Sequence, residues 1–198
     1  MSFDADSRRR LSYGADSVLL IVLCLLFFWR DLTPAATDRR RFVAGDFAHQ
    51  YYAPARYAAS RWWAGEAPLW NPYVYAGHPF VADLQNATFY PLRLVAIALA
   101  GPDFPYEALE LEALLHFPLV ALFTYLLARR LTGRRIGGLV AAVTFAFSSY
   151  LTGYPILQLA ILEAQAWLPA ILLCLLNAGE TLATGETRRG LRWSLAAG

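Results

Sequence analysis

Asp46, His49, His78, Asp83 and Gln85 fall within one stretch, Gly45 to Pro91, that is polar, aromatic and rich in Pro and Gly. Apolar runs flank it on both sides. Asp46 follows a glycine where the chain should return to a membrane surface. A carboxylate there can take a proton from a hydroxyl or hold a divalent ion, Mg or Mn. The plainer reading makes it an N-terminal carboxylate that steadies the following helix through its dipole. His49 and Gln50 come one turn later and should share a surface with it.

Further along, His78, Asp83, Gln85 and Asn86 are interleaved with Trp70, Tyr73, Tyr75 and Tyr90. Amides and carboxylates bond sugar edges, and flat rings stack on sugar faces; aromatic loops beside membranes also act as anchors. Arg39–Arg41, Arg56, Arg61 and Arg93 have the forked guanidinium that suits phosphate oxygens, or anionic lipid headgroups. Glu163 lies inside an apolar run between Gln158 and Gln165. A carboxyl at that depth faces a cavity or a partner. His116, before Pro118, reads as structural. The chain has no phosphate-cradling Gly loop, no Ser-His-Asp order and no HExxH.

The elements that must position these groups follow from the hydropathy pattern. Of 198 residues, 58% are hydrophobic and 16% charged, against about 25% charged in soluble domains. The apolar residues come in blocks, as in a polytopic membrane protein. Net charge is +2, all cations are Arg, and no basic patch alternates with aromatics, so nucleic acid is not an expected partner. Cys24 and Cys174 sit in separate apolar runs with no zinc-type spacing.

Spanning helices are expected at about 11–29, 106–128, 136–150 and 156–176, with another starting at 191–198, all in a single incomplete transmembrane domain over 1–198. The first approaches the ~20 residues a bilayer needs. A signal peptide would share its charged start, but the bulky Phe27-Phe28-Trp29 end fits an anchored helix better. Arg8–Arg10, Arg129–Arg135 and Arg188–Arg192 recur on one side, which predicts a cytoplasmic N-terminus and an outer loop over 30–105. Arg39–Arg41 break that pattern. Within the loop, Phe47, Tyr51, Pro54, Ala58 and Trp62 share a face at 3.6-residue spacing, predicting an amphipathic interfacial helix over Asp46–Trp63, kinked at Pro54. Leu92–Ala100 is apolar but too short to span, so a dipping helix is expected.

Several motifs in order carry a family likeness: G-D-F-x-x-Q-Y-x-x-P (Gly45–Pro54), G-E-A-P-L-W-N-P-Y (Gly65–Tyr73), G-H-P-F (Gly77–Phe80), Q-N-A-T-F-Y-P-L (Gln85–Leu92), F-A-F-S-S-Y-L (Phe145–Leu151) and W-L-P (Trp167–Pro169). Together they resemble the YfhO-type bacterial membrane proteins, which belong with the GT-C class of glycosyltransferases. The resemblance implies an all-α polytopic helical bundle in the bacterial cytoplasmic membrane. It implies an enzyme that moves a sugar from a polyprenyl-phosphate donor to a cell-envelope acceptor outside the cell. It also implies that Asp46, in the first outer loop, is the key acid, with Asp83 or Glu163 as a second. Family members have many more helices, so acceptor-binding parts are expected outside this chain.

The resulting expectation is a membrane glycosyltransferase with Asp46, Asp83 and Glu163 as catalytic candidates. Its substrate-binding candidates are His49, Gln50, His78, Gln85, Asn86, Trp70, Tyr90, Arg56, Arg61 and Arg93. Its partners are a lipid-linked sugar donor, an envelope acceptor and membrane lipids. The rival readings are a transporter or flippase for a lipid-linked saccharide, and a non-catalytic membrane scaffold.

Overall fold

The computed structural model describes residues 2–184 and 187–197. The protein is all-helical; the one extended pairing among the described residues is an isolated bridge between Asn71 and His78. The helices are α1 (Ser2–Phe27), α2 (Ala53–Trp63), α3 (Pro91–Ala100), α4 (Tyr106–Thr132), α5 (Arg135–Ala146), α6 (Leu159–Ala183) and α7 (Thr187–Ala197), joined by short helical turns.

Three segments are long and apolar enough to cross a membrane: Tyr106–Thr132, Arg135–Thr152 and Leu159–Ala183. These are the marks of a membrane protein. They overlap three of the four expected spans. The fourth, at the N-terminus, is helical, but its apolar part, Ser12–Phe27, is shorter than the other three. The last expected helix begins earlier, at Thr187, and Gly198 lies outside the described residues.

The described residues divide into two compact units. One comprises Met1–Trp29, His116–Thr152 and Glu163–Gly198. Its buried apolar residues include Leu20 and Cys24 of α1, Phe117, Val120 and Ala121 of α4, and Ala142 and Ala146 of α5. Phe28 packs on Phe117 with ring centroids 4.5 Å apart. Small residues let α5 approach α4: a Cβ on Gly138 would meet Tyr125 Cδ2 at 2.9 Å and Arg129 Cβ at 3.0 Å.

At the same end of this unit sits a charged knot. Asp16, in the apolar part of α1, is fully buried. Its carboxylate accepts from Tyr125 Oη at 2.5 Å and from Arg135 Nη2 at 2.6 Å, with Arg129 Nη1 at 3.5 Å. Arg129 also lies 3.6 Å from the centre of the Tyr13 ring and donates to Ser12 Oγ at 3.0 Å. A buried carboxylate survives only when paired and hydrogen-bonded, and here α4 and α5 supply those partners. The rest of α1 exposes Val18, Leu19, Val22, Leu25 and Leu26. So large an apolar surface calls for lipid or another chain.

The other unit comprises Arg30–Leu115 and Gly153–Leu162. Its helical heart is a π turn, Phe47–Tyr52, that runs into α2. Phe47, Tyr51, Ala55, Ala58 and Ala59 are buried along one face; of the stripe read from the sequence, Phe47, Tyr51 and Ala58 point inward, while Pro54 and Trp62 are half-buried. Pro54 explains the π turn. It has no N–H to give the Gln50 carbonyl and its ring crowds that group, so the preceding turn widens and the Ala53 N–H bonds Ala48 O.

Candidate functional site

Asp46 stands at the start of that π turn, just after Gly45, whose φ of 95° reverses the chain. Its backbone is already helical and its side chain makes no capping bond. Any stabilisation it gives the following helix therefore comes through the dipole and not through a capping bond. The carboxylate is exposed and held by two amides. Gln50, one turn on, approaches Oδ1 through Nε2 at 3.5 Å, and Gln158 Nε2 donates to Oδ2.

Gln158 comes from a break in the chain between the short turn Tyr154–Leu157 and α6. The expected continuous helix from Ile156 is interrupted here. The Gln158 carbonyl accepts from Ile161 N at 2.9 Å and Leu162 N at 3.2 Å, which opens α6. Its side chain is almost wholly buried, and Tyr51 Oη donates to its Oε1 at 2.9 Å. The carboxylate decides which end of the amide faces it: ionised, it can only accept, so the NH₂ group points to Asp46 and the oxygen is left to accept from the phenol. Neither Tyr51 nor Gln158 stood among the site residues expected from sequence. Tyr51 looked like one more apolar-face residue, and Gln158 looked like a neighbour of Glu163; a polar side chain three residues after Pro155 was the available signal.

The turn-rich segment forms a separate constellation. Asn71 and His78 exchange backbone bonds at 2.9 and 3.0 Å and close a tip in which Tyr75, Ala76 and Gly77 all have positive φ. Trp70 lies flat over Gly77, where a Cβ would meet its Cζ2 at 2.8 Å, and Tyr57 Oη bonds the Trp70 carbonyl at 2.6 Å. The His78 ring sits beside Tyr75 and Phe80. Asp83 accepts from Gln85 N at 3.0 Å, and buried Asn86 donates to Phe80 O at 2.8 Å. Those two side chains shape turns, whereas Trp70, Tyr73, Tyr75 and Gln85 are exposed. No hydrogen bond or ion pair joins His78, Asp83, Gln85, Asn86 or Trp70 to Asp46 among the described residues. His49 is exposed; Tyr90 is half-buried and leads into α3. Glu163 is buried in α6 and belongs to the other unit.

The arginines divide. Arg93 is buried and donates from Nε to Glu112 at 2.6 Å. Arg41 pairs with Glu107 and reaches Glu110 at 3.5 Å, while Arg39 lies 3.9 Å from Glu110. The Glu107 hydrogen bond raises the Arg41 guanidinium above its ordinary value. Glu110 also accepts from Phe42 N at 2.7 Å. The arginines at 39 and 41 that break the sequence's charge pattern are thus matched by carboxylates of α4. Arg61 pairs with Glu66, and Arg56 is exposed.

Among the described residues no group of three or more His, Cys, Asp or Glu side chains converges as a metal site. Around Asp46 the Gln158 amide presents its N–H to the carboxylate, and Gln50 approaches it from an exposed position. The arrangement suits a hydroxyl: one carboxylate, fixed in orientation by amides, with lone pairs open to solvent. No protein-family model, curated protein or solved structure matches the chain.

Proposed function

We propose that the chain belongs to a membrane glycosyltransferase of GT-C type, with Asp46 as its base. The observation that carries this is the state of the Asp46 carboxylate. It is exposed, unspent on helix capping and steered by Gln50 and Gln158. The likeness of Gly45–Pro54 to the YfhO-type motif supports the same residue. In the proposed step an acceptor hydroxyl gives its proton to Asp46 as its oxygen bonds the anomeric carbon. The bond from that carbon to the phosphate oxygen breaks, and polyprenyl phosphate leaves with the electron pair. The loop over 30–105 lies outside a bacterial cytoplasmic membrane in this reading, and the donor's lipid tail stays in the bilayer. The exposed rings of Trp70, Tyr73 and Tyr75 offer stacking faces for saccharide. A role for Asp46 as ligand to Mg or Mn is separated from the base role by adding chelator to the transfer assay.

A second reading, transport of a lipid-linked saccharide, draws on the interrupted helices. The chain leaves helix at Ser148, Gly153 and Gln158, and broken helices line substrate sites in transporters. The full-length protein, reconstituted with polyprenyl-phosphate donors carrying radiolabelled sugar, separates the two. Formation of a new glycosidic bond supports the transferase. Movement of label across the bilayer with no new bond overturns it in favour of transport.

A further inference from the structure

The Gln158 amide is too well placed to be only a helix-opening residue. Its backbone carbonyl already starts α6, so the side chain is not needed for that. The side chain instead lies buried, with its oxygen taken by Tyr51 and its NH₂ directed at Asp46 Oδ2. Tyr51 is itself fixed: it is buried on the inward face of the π turn that carries Asp46. The carboxylate and its orienter thus come from the two ends of a closed path, Asp46 to Tyr51 through the π turn and Tyr51 to Gln158 to Asp46 through hydrogen bonds. The wider π turn matters here, since it sets where Tyr51 falls relative to Asp46.

We propose that Gln158 is a positioning residue for the Asp46 base, held in its working orientation by the Tyr51 hydroxyl. This rests on the transferase reading above. A base misplaced by about 1 Å costs up to ~10²-fold in rate, and an exposed aspartate with only Gln50 beside it is free to choose among rotamers. Gln158 fixes one. It does so with a neutral donor, which orients the carboxylate without adding a charge at the place where the acceptor must arrive.

The test uses full-length protein in nanodiscs, with a panel of polyprenyl-phosphoryl hexose and pentose donors carrying radiolabel. Gln158→Leu should lower kcat by about 10- to 100-fold with KM for the donor little changed. Tyr51→Phe should lower it less. Gln158→Glu is the discriminating variant. A second carboxylate beside Asp46 disfavours its ionised form, so the acid limb of the kcat–pH profile should move to higher pH. A role confined to folding would lower activity equally at every pH and would leave that limb in place. If Asp46→Asn abolishes transfer while Gln158→Leu and Gln158→Glu behave as the parent, the positioning role is overturned and the transferase reading stands. If Asp46→Asn transfers as well as the parent, or the parent transfers no sugar from any donor, the transferase reading fails and the positioning role falls with it.

Discussion

Arg93 donates from Nε to Glu112 Oε2 at 2.6 Å, and both side chains are only 1% exposed. The pair ties the start of α3 to the start of α4 and so holds the base of the aromatic loop. Desolvation makes such a pair an expensive way to gain stability, but losing one member is worse, since a buried charge is then left without its counterion. Arg93→Met or Glu112→Leu alone should destabilise the protein by ~3–5 kcal/mol, and the double substitution should recover most of it. Denaturant unfolding in detergent micelles checks this; equal losses for single and double variants would contradict it.

The approach of α5 to α4 gives a prediction with its own control. Gly138→Ala puts a methyl 2.9 Å from the Tyr125 ring and 3.0 Å from Arg129 Cβ. Such overpacking costs about 1–3 kcal/mol. For Gly137→Ala the nearest atoms all belong to the Thr132 side chain, closest at Oγ1, 3.0 Å away, which can rotate. The Gly138 variant should therefore unfold at distinctly lower denaturant than the Gly137 variant, and matched midpoints would count against the close approach.

Buried Asp16 supplies a third case. Asp16→Ala takes away the acceptor of the Tyr125 hydroxyl, which keeps only the bond from Arg129, and leaves Arg135 and Arg129 without the shared carboxylate. Tyr125→Phe removes the bond to Asp16 and the one accepted from Arg129, but leaves the Asp16–Arg135 ion pair in place. The first should cost roughly 3 kcal/mol or more and the second about 1 kcal/mol, measured by the same unfolding titration.

These cases show what the sequence made legible and what it did not. The apolar blocks gave the three long helices, because lipid demands length and hydropathy together and both are written in composition. The stripe through Phe47, Tyr51 and Ala58 showed the inward face of the Phe47–Trp63 segment. The π turn was hidden, since a shift of hydrogen-bond partner from i−4 to i−5 leaves composition unchanged and only Pro54 hints at it. Gln158 was hidden for a different reason. Its partner Asp46 is 112 residues away, and no spacing rule links residues across such a gap. Arg93 shows the reverse: exposed to inspection as a phosphate-binding type, it is spent on Glu112 inside the fold.

Topology can be read directly. With Cys24 and Cys174 replaced, single cysteines at Val43 or Tyr75, both well exposed, should react in intact cells with a membrane-impermeant maleimide. A cysteine at Leu131, also exposed, should react only after the membrane is opened. The reverse pattern would put the loop over 30–105 in the cytoplasm, away from an external acceptor.

The account turns on one carboxylate, and Asp46→Asn tests it with the least disturbance, since the amide keeps the size and can still meet solvent while losing the capacity to take a proton. Loss of a general base typically costs 10²- to 10⁴-fold. In the full-length protein, with insertion and amount matched to the parent, transfer of radiolabelled sugar from a polyprenyl-phosphate donor should fall by at least about 10²-fold. Transfer at the parental rate would remove Asp46 from the chemistry and contradict the account.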